Sequence, residues 1–511
     1  MRELLFKSTL AGLTLAMLGA PALAGKANDT LVWSTSQSLA SPDPYYNQLR
    51  ERIIIHRNVC DGLIYNNPET REMEPLIATS WEQVDETSID FVLRQDVTFH
   101  GGQKLTADDV VYTYNWLANP DSGIVNASAV AWIAGAEKID DYTVRIKTRD
   151  TNPTALARIA DDIPILPNDH YADAPAGEGD RRNYGAVPLN CTGPYKVTGY
   201  VPGESITMVA NEDYFSEGSK FKPHIQNLEF RTIADQETQI AELLTGGVGI
   251  IWIESKDRAD FLARMGRAEV KSISILRMDF LQFETLGRSG SNPFQDIRVR
   301  QAVAHAINRE AIAKNLVGDS SEVIHSHCSP TQFGCTQDVR KYDYDPERAK
   351  ELLAEAGFAD GFDIDFYTYR SRETTEAMVG DLRAVGIQAN LRSMQFQALL
   401  PMQRSGEAQF SHLSWASLGL NDAVANTSHY FRGRPDDQHQ DAEVIAWLEV
   451  ADTSLDPAVR EEHYKKALQK IAEEAYTVPL WTAVRYFGLS PDLEFQPHFD
   501  DIARFWAAEW K

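Results

Sequence analysis

Two periodicities run through the chain. Leu31-Val-Trp-Ser-Thr35 is a short apolar run that predicts a buried opening strand. Ser88-Ile-Asp-Phe-Val-Leu-Arg94 and Thr143-Val-Arg-Ile-Lys147 alternate apolar and polar positions, the pattern of half-buried strands. Pro479 to Phe487 reads as a late strand. Helical spacing takes over after Thr106, a good N-cap. Asp108 and Asp109 fall in the first turn, where the helix dipole favours anions, and Val110, Val111, Tyr114 and Leu117 share one face. Val299, Val303, Ala306 and Ile307 form a second helical stripe. Asp345-Pro346, then Ala349, Leu352, Leu353 and Gly357, supply cap, first-turn proline, apolar face and terminating glycine. Helices and strands alternate throughout, which predicts mixed α/β domains. No repeat, low-complexity tract or long linker separates them, so a tight hinge is expected.

At 511 residues the chain suits two or three domains. Its formal net charge of -25, from 74 acidic and 49 basic side chains, lacks the clustered basic footprint of a nucleic-acid binder. It would also be repelled by anionic lipid. Arg2 and Lys7, the apolar stretch Leu10 to Leu18 and Ala22-Leu-Ala24 have the layout of a secretory leader over residues 1–24. No cysteine closely follows the expected cleavage site, so the protein is expected free in an oxidising periplasm rather than lipid-anchored. There Cys328 and Cys335 can pin a six-residue loop, leaving Cys60 and Cys191 as the other pair, although four cysteines allow three pairings. His325 and His327 beside Cys328 fit no standard zinc spacing, so no metal is expected. GxxxxGK[ST], GxGxxG, HExxH, CxxC and GxSxG motifs are all absent.

Several stretches, in order, resemble the periplasmic solute-binding proteins of ABC importers, family 5, the peptide/nickel/opine class. They are Asn58 to Leu63 (with Cys60 where the family usually has an aromatic), Glu74 to Trp81 and Phe91 to Gly102, which runs on to Leu105–Val111. Asn190 to Tyr195, Phe294 to Val303 and Tyr344 to Phe358 complete the set. Trp81, Phe91, Val97 and Phe99 within them read as core and Gly101-Gly102 as a turn, scaffold rather than site. The resemblance implies a type II periplasmic-binding fold (cluster C): lobe I over 25–270 with a subdomain inserted at about 45–180, lobe II over 271–481, and a return to lobe I over 482–511. It further implies a monomeric, non-enzymatic receptor that clamps a solute between its lobes and hands it to inner-membrane permease subunits, with no cofactor.

In peptide-binding relatives a Trp-x-x-Asp segment packs on the ligand and pairs with its amino terminus. Here the tryptophan is Trp415, but Leu418 stands at the aspartate position. An enclosed ammonium without its counter-charge costs several kcal/mol. Either Asp422 or Glu284 takes over, or the solute has no free α-amino group there; the second reading is favoured. Glu284, where relatives often carry asparagine, also has a plainer role as partner of Arg288. Arg370 or Arg372 falls near the relatives' carboxylate-binding arginine. Tyr45 and Tyr46 follow the first strand into the cleft, Asn421 is a hydrogen bonder, and Phe333 sits in the loop between Cys328 and Cys335. The expected ligand is a small polar organic molecule, peptide-like or an amino-acid conjugate. Rivals are an opine, an oligosaccharide, or a nickel or haem chelate and, outside binding, a periplasmic hydrolase.

Overall fold

A computed structural model describes residues 24–511 except 48, 178–180 and 418. The expected leader therefore lies, apart from Ala24, outside the described residues. Ten strands form one sheet in the order Ile387–Ser393, Phe362–Thr368, Phe410–Ala416, Glu269–Phe283, Thr477–Leu489, Ile250–Ile253, Thr30–Thr35, Asn227–Thr232, Ser205–Ala210, Tyr195–Val201. The opening strand is buried at every position because it lies between two parallel neighbours. That explains its unbroken apolar reading.

Two lobes share this sheet. One core gathers apolar residues from Leu31 to Ile250 and again from Phe487 to Ala508. Two others draw only on residues 278–481. The chain crosses between them in its two longest strands, Glu269–Phe283 and Thr477–Leu489, and the boundaries expected at 270 and 481 fall inside these. The two strands pair antiparallel, with a register shift between Ser274 and Met278. At that break Leu276 bonds instead to Phe499 O and accepts from Ser417 N.

A separate four-stranded sheet, Ala78–Asp85, Ser88–Leu93, Thr143–Thr148 and Ile133–Asp140, forms within the first lobe. Helix Ala107–Ala118 packs on it; Thr106 and Asp109 close a capping box at its start. Phe91, Val97 and Phe99 are core residues, while Trp81 is only partly covered. Both cysteine pairs, Cys60–Cys191 and Cys328–Cys335, are joined. The first ties the end of helix Arg50–Val59 to the turn at Gly193, where a Cβ would meet the carbonyl of Val59 at 2.4 Å. Only glycine permits that approach.

Candidate functional site

The lobes face each other across a long cleft with two connected compartments. The first, about 350 Å³, has one wall from residues 44–162 and the other from residues 415–434. The second, about 520 Å³, lies between Arg71 and Phe499 on one side and the 330–335 loop with Asn421 on the other. Ala157 and Leu420 line both.

The first-lobe wall is set by a buried carboxylate. Asp43 accepts from Tyr45 N (2.8 Å), Tyr46 N (3.2 Å) and Tyr171 Oη (2.9 Å). Burial pushes its pKa up to about 6 against these bonds. The turn so formed sends Tyr45 to the cleft, where its hydroxyl is fixed to Pro164 O at 2.6 Å. Helix Arg50–Val59 follows. It buries Ile54, Ile55 and Val59 in the core and presents Arg52, Ile53 and His56 to the cleft. Beside it, Asp161 accepts from Arg57 (2.5 Å) and Asn66 (2.8 Å), and Arg158 stands 3.9 Å from Asp162.

Trp415 anchors the opposite wall. It ends strand Phe410–Ala416, donates from Nε1 to Ala425 O (2.7 Å) and stacks on His429 at 4.0 Å. Burial lowers the pKa of His429 despite Asp436 at 3.4 Å, keeping the stack neutral. In the second compartment Phe333 N donates to Asn421 O (3.1 Å) and Phe333 O accepts from Ala423 N (2.9 Å), stitching the disulfide loop to the segment after Trp415. The Asn421 side-chain oxygen is buried there without a partner.

The structure therefore brings Trp415, Tyr45, Phe333, Asn421 and Asp422 to the cleft and sends the other candidates elsewhere. Asp422 is already engaged: Arg460 Nη2 lies 2.9 and 2.8 Å from its oxygens and both residues are buried, so its charge is spent inside the second lobe. Glu284 is fully covered, accepting from Leu286 N, Gly287 N, Asn292 Nδ2 (each 2.9 Å) and Arg288 Nε (3.2 Å). This is the structural salt bridge weighed from sequence, and it folds the 286–292 loop. Tyr46 is packed among first-lobe aromatics, its hydroxyl donating to Ser122 O (2.6 Å). Arg370 pairs with Asp279 at 3.4 Å. Burial works against that carboxylate, yet Arg370 and His412 hold its pKa well below the usual range. Arg372 is exposed and bonded to Glu376 at 2.6 Å. Leu418 lies outside the described residues. Arg52, His56, Arg158 and His429 line the cleft without having been singled out from sequence. The four-residue spacing of Arg52 and His56, opposite an isoleucine-rich face, was the available signal. Among the described residues no cluster of three His, Cys, Asp or Glu could hold a metal ion, and no helix is long and apolar enough to cross a membrane.

The family model for bacterial extracellular solute-binding proteins, family 5, matches residues 72–438. Heme-binding protein A of Haemophilus influenzae is 25% identical over 85% of this chain and 83% of its own. The dipeptide-binding protein of Escherichia coli is 28% identical over 76% and 73%. Among solved structures, the ABC transporter substrate-binding protein CtaP of Listeria monocytogenes superposes with a TM-score of 0.82 at 21% identity, covering 96% of this chain and 99% of that one.

Proposed function

The chain belongs to the family 5 bacterial extracellular solute-binding proteins, and we propose that it is the extracytoplasmic receptor of an ABC import system, closing on a small organic solute and presenting it unchanged to the membrane permease. The observation that carries this reading is the two-walled cleft. Tyr45 and Trp415 come from different lobes joined by two long strands, so a solute touching both favours closure.

The lining chemistry supports capture rather than turnover. Ser128 donates to Asn126 Oδ1 (2.9 Å), Ser417 to Leu276 O (3.4 Å) and Ser428 to Asp452, so none of the three serine hydroxyls of the first compartment is bonded to an imidazole that could activate it. It also narrows the solute. In the first compartment, beside Trp415, Asp161 is tied to Arg57 and Asp162 faces Arg158, so no lining carboxylate is left free there to receive an ammonium; in the second, Asp422 is tied to Arg460 and Asp500 to Arg504, which leaves the exposed Glu461. We therefore favour a solute without a free α-amino group at that place, such as an amino-acid conjugate, over an ordinary dipeptide. Native mass spectrometry of protein purified without refolding, paired with small-angle scattering before and after release, tests the reading. One equivalent of bound compound and a more compact loaded form are expected. Product exceeding one equivalent per chain, or identical scattering curves with and without a tightly held compound, refutes it.

A further inference from the structure

Arg52 is the one arginine in the inner part of the first compartment with no carboxylate within ion-pair distance among the described residues; Arg434 lies exposed at its mouth. Its one side-chain hydrogen bond among the described residues runs from Nη1 to His56 Nδ1 at 3.0 Å. A guanidinium can only donate, so His56 accepts at Nδ1 and carries its proton on Nε2. That Nε2 is buried and turned toward the Asp161 backbone, whereas Arg52 Nε is buried with no hydrogen-bond partner among the described residues. A buried, charged donor thus borders the cavity with nothing to accept from it among the described residues, a condition folded proteins rarely tolerate without a reason. Asp162 and Asp43 favour its charge from a distance, but neither comes within ion-pair distance of it. Asp43 is taken up by backbone and Tyr171, Asp161 by Arg57, and Asp162 faces Arg158. The opposite wall supplies no carboxylate; its ionisable lining groups are His429 and Arg434.

We propose that Arg52 is the anion anchor of the cleft, its Nε edge receiving a carboxylate of the solute while His56, through Nδ1, holds the other side of the guanidinium. Arg52 presents one guanidinium edge with no acceptor among the described residues, which matches a single carboxylate. The planar edge of the guanidinium fits a carboxylate through two parallel bonds. Trp415, on the other lobe, stacks on the body of the same molecule. This deepens the receptor reading and rests on it.

The test uses the intact protein with N-acetyl-L-phenylalanine, its uncharged C-terminal amide and phenyl phosphate, followed by calorimetry and thermal shift on wild type, Arg52→Gln and Arg372→Gln. The acid should bind at least tenfold better than the amide and better than phenyl phosphate. Arg52→Gln should weaken the acid by about ten- to a hundredfold, the scale of a lost charge-assisted pair. Arg372→Gln should leave it unchanged. Ligand-free Arg52→Gln should melt close to wild type, since Arg52 makes no ion pair within bonding distance among the described residues. The solute released from natively purified protein should be anionic at neutral pH. Equal affinity of Arg52→Gln for the acid, preference for the amide or for the phosphate, failure of all three probes to bind, or an uncharged or cationic released solute each overturns the carboxylate anchor. None of these touches the receptor reading, which falls separately if no compound is released and scattering never changes.

Discussion

Asp422 separates a structural role from a ligand-binding one, because sequence offers it as an ammonium partner while the structure commits it to Arg460. Its carboxylate accepts from Arg460 Nη2 (2.9 and 2.8 Å), from Val424 N (3.0 Å) and from Tyr464 Oη (3.4 Å). Arg460 is 6% exposed; its guanidinium also bonds Ala451 O and lies 4.7 Å from the Phe333 ring centroid. Asp422→Asn keeps shape and most hydrogen bonds but leaves a guanidinium buried without counter-charge. The expected cost is about 3–5 kcal/mol, the range for breaking a buried pair from one side. Arg460→Met added to Asp422→Asn should restore much of it, since replacing both charges by neutral groups is far less costly than stranding one. Urea unfolding of the four proteins of this cycle, followed by tryptophan fluorescence, gives the coupling energy. Solute affinity measured well below the transition should change by less than about threefold, because the carboxylate meets no solute. A variant that folds with undiminished stability but loses solute binding tenfold or more would refute the reasoning and return Asp422 to the site.

Trp415→Ala removes a platform held by Ala425 and His429 at the cleft wall; affinity should drop by about ten- to a hundredfold, the scale for a buried aromatic anchor, with a smaller loss of stability, and unchanged calorimetric affinity removes Trp415 from the site. The Cys60–Cys191 link spans 131 residues and Cys328–Cys335 spans 7, so chain-entropy arguments give losses of about 5 and about 2.5 kcal/mol on replacing each pair by alanine. Denaturant midpoints in the reverse order would contradict that ranking. Acid should destabilise the second lobe through His327, whose pKa burial lowers from 6.5 to about 3, and His439, lowered by burial well below 6.5. The unfolded chain takes up these protons near pH 6.5 and the folded one does not, so their stability contribution is complete above 6.5 and falls away below it. At pH 5 the loss through His327 is about 2 kcal/mol, and His439 adds in the same direction. Asp43, raised to about 6, works the other way over the same window. A melting temperature equal at pH 7 and pH 5, or an acid sensitivity unaltered in His327→Phe, would argue against this source.

Local pattern carried far in this chain because most of its elements answer to local rules. The capping box at Thr106, the Asp345-Pro346 start with Gly357 at φ 90°, and the strands at Leu31, Ser88, Thr143 and Pro479 stand where capping and periodicity put them. The lobes too were accessible, through the ordered family stretches. Side-chain partners many tens of residues apart were not. Glu284 bonds residues four and eight places away, a pairing near enough to weigh in advance. Asp422 meets Arg460 from 38 residues away, and Arg370 meets Asp279 from 91. Nothing in sequence says whether a charged residue is neutralised, and that decides whether it can serve a ligand. Arg52 was missed for the converse reason. Its importance lies in the absence of a partner, which only the packed structure reveals.

That absence bears on signalling as well as affinity. A ligand shifts an open–closed equilibrium only by the difference in its contacts with the two states. A solute held by Trp415 alone binds both forms alike and reports nothing. With Arg52 as the proposed anchor, closure without a solute further confines a guanidinium that no carboxylate meets within ion-pair distance among the described residues. The empty closed form is thereby disfavoured. An anion at Arg52 removes the penalty, and its apolar body then gains the Trp415 face that only the closed form offers. The unpaired charge on one lobe and the aromatic on the other thus make closure conditional on a molecule carrying both features, and the two crossing strands, with their break at Ser274–Met278, supply the place where the movement can occur.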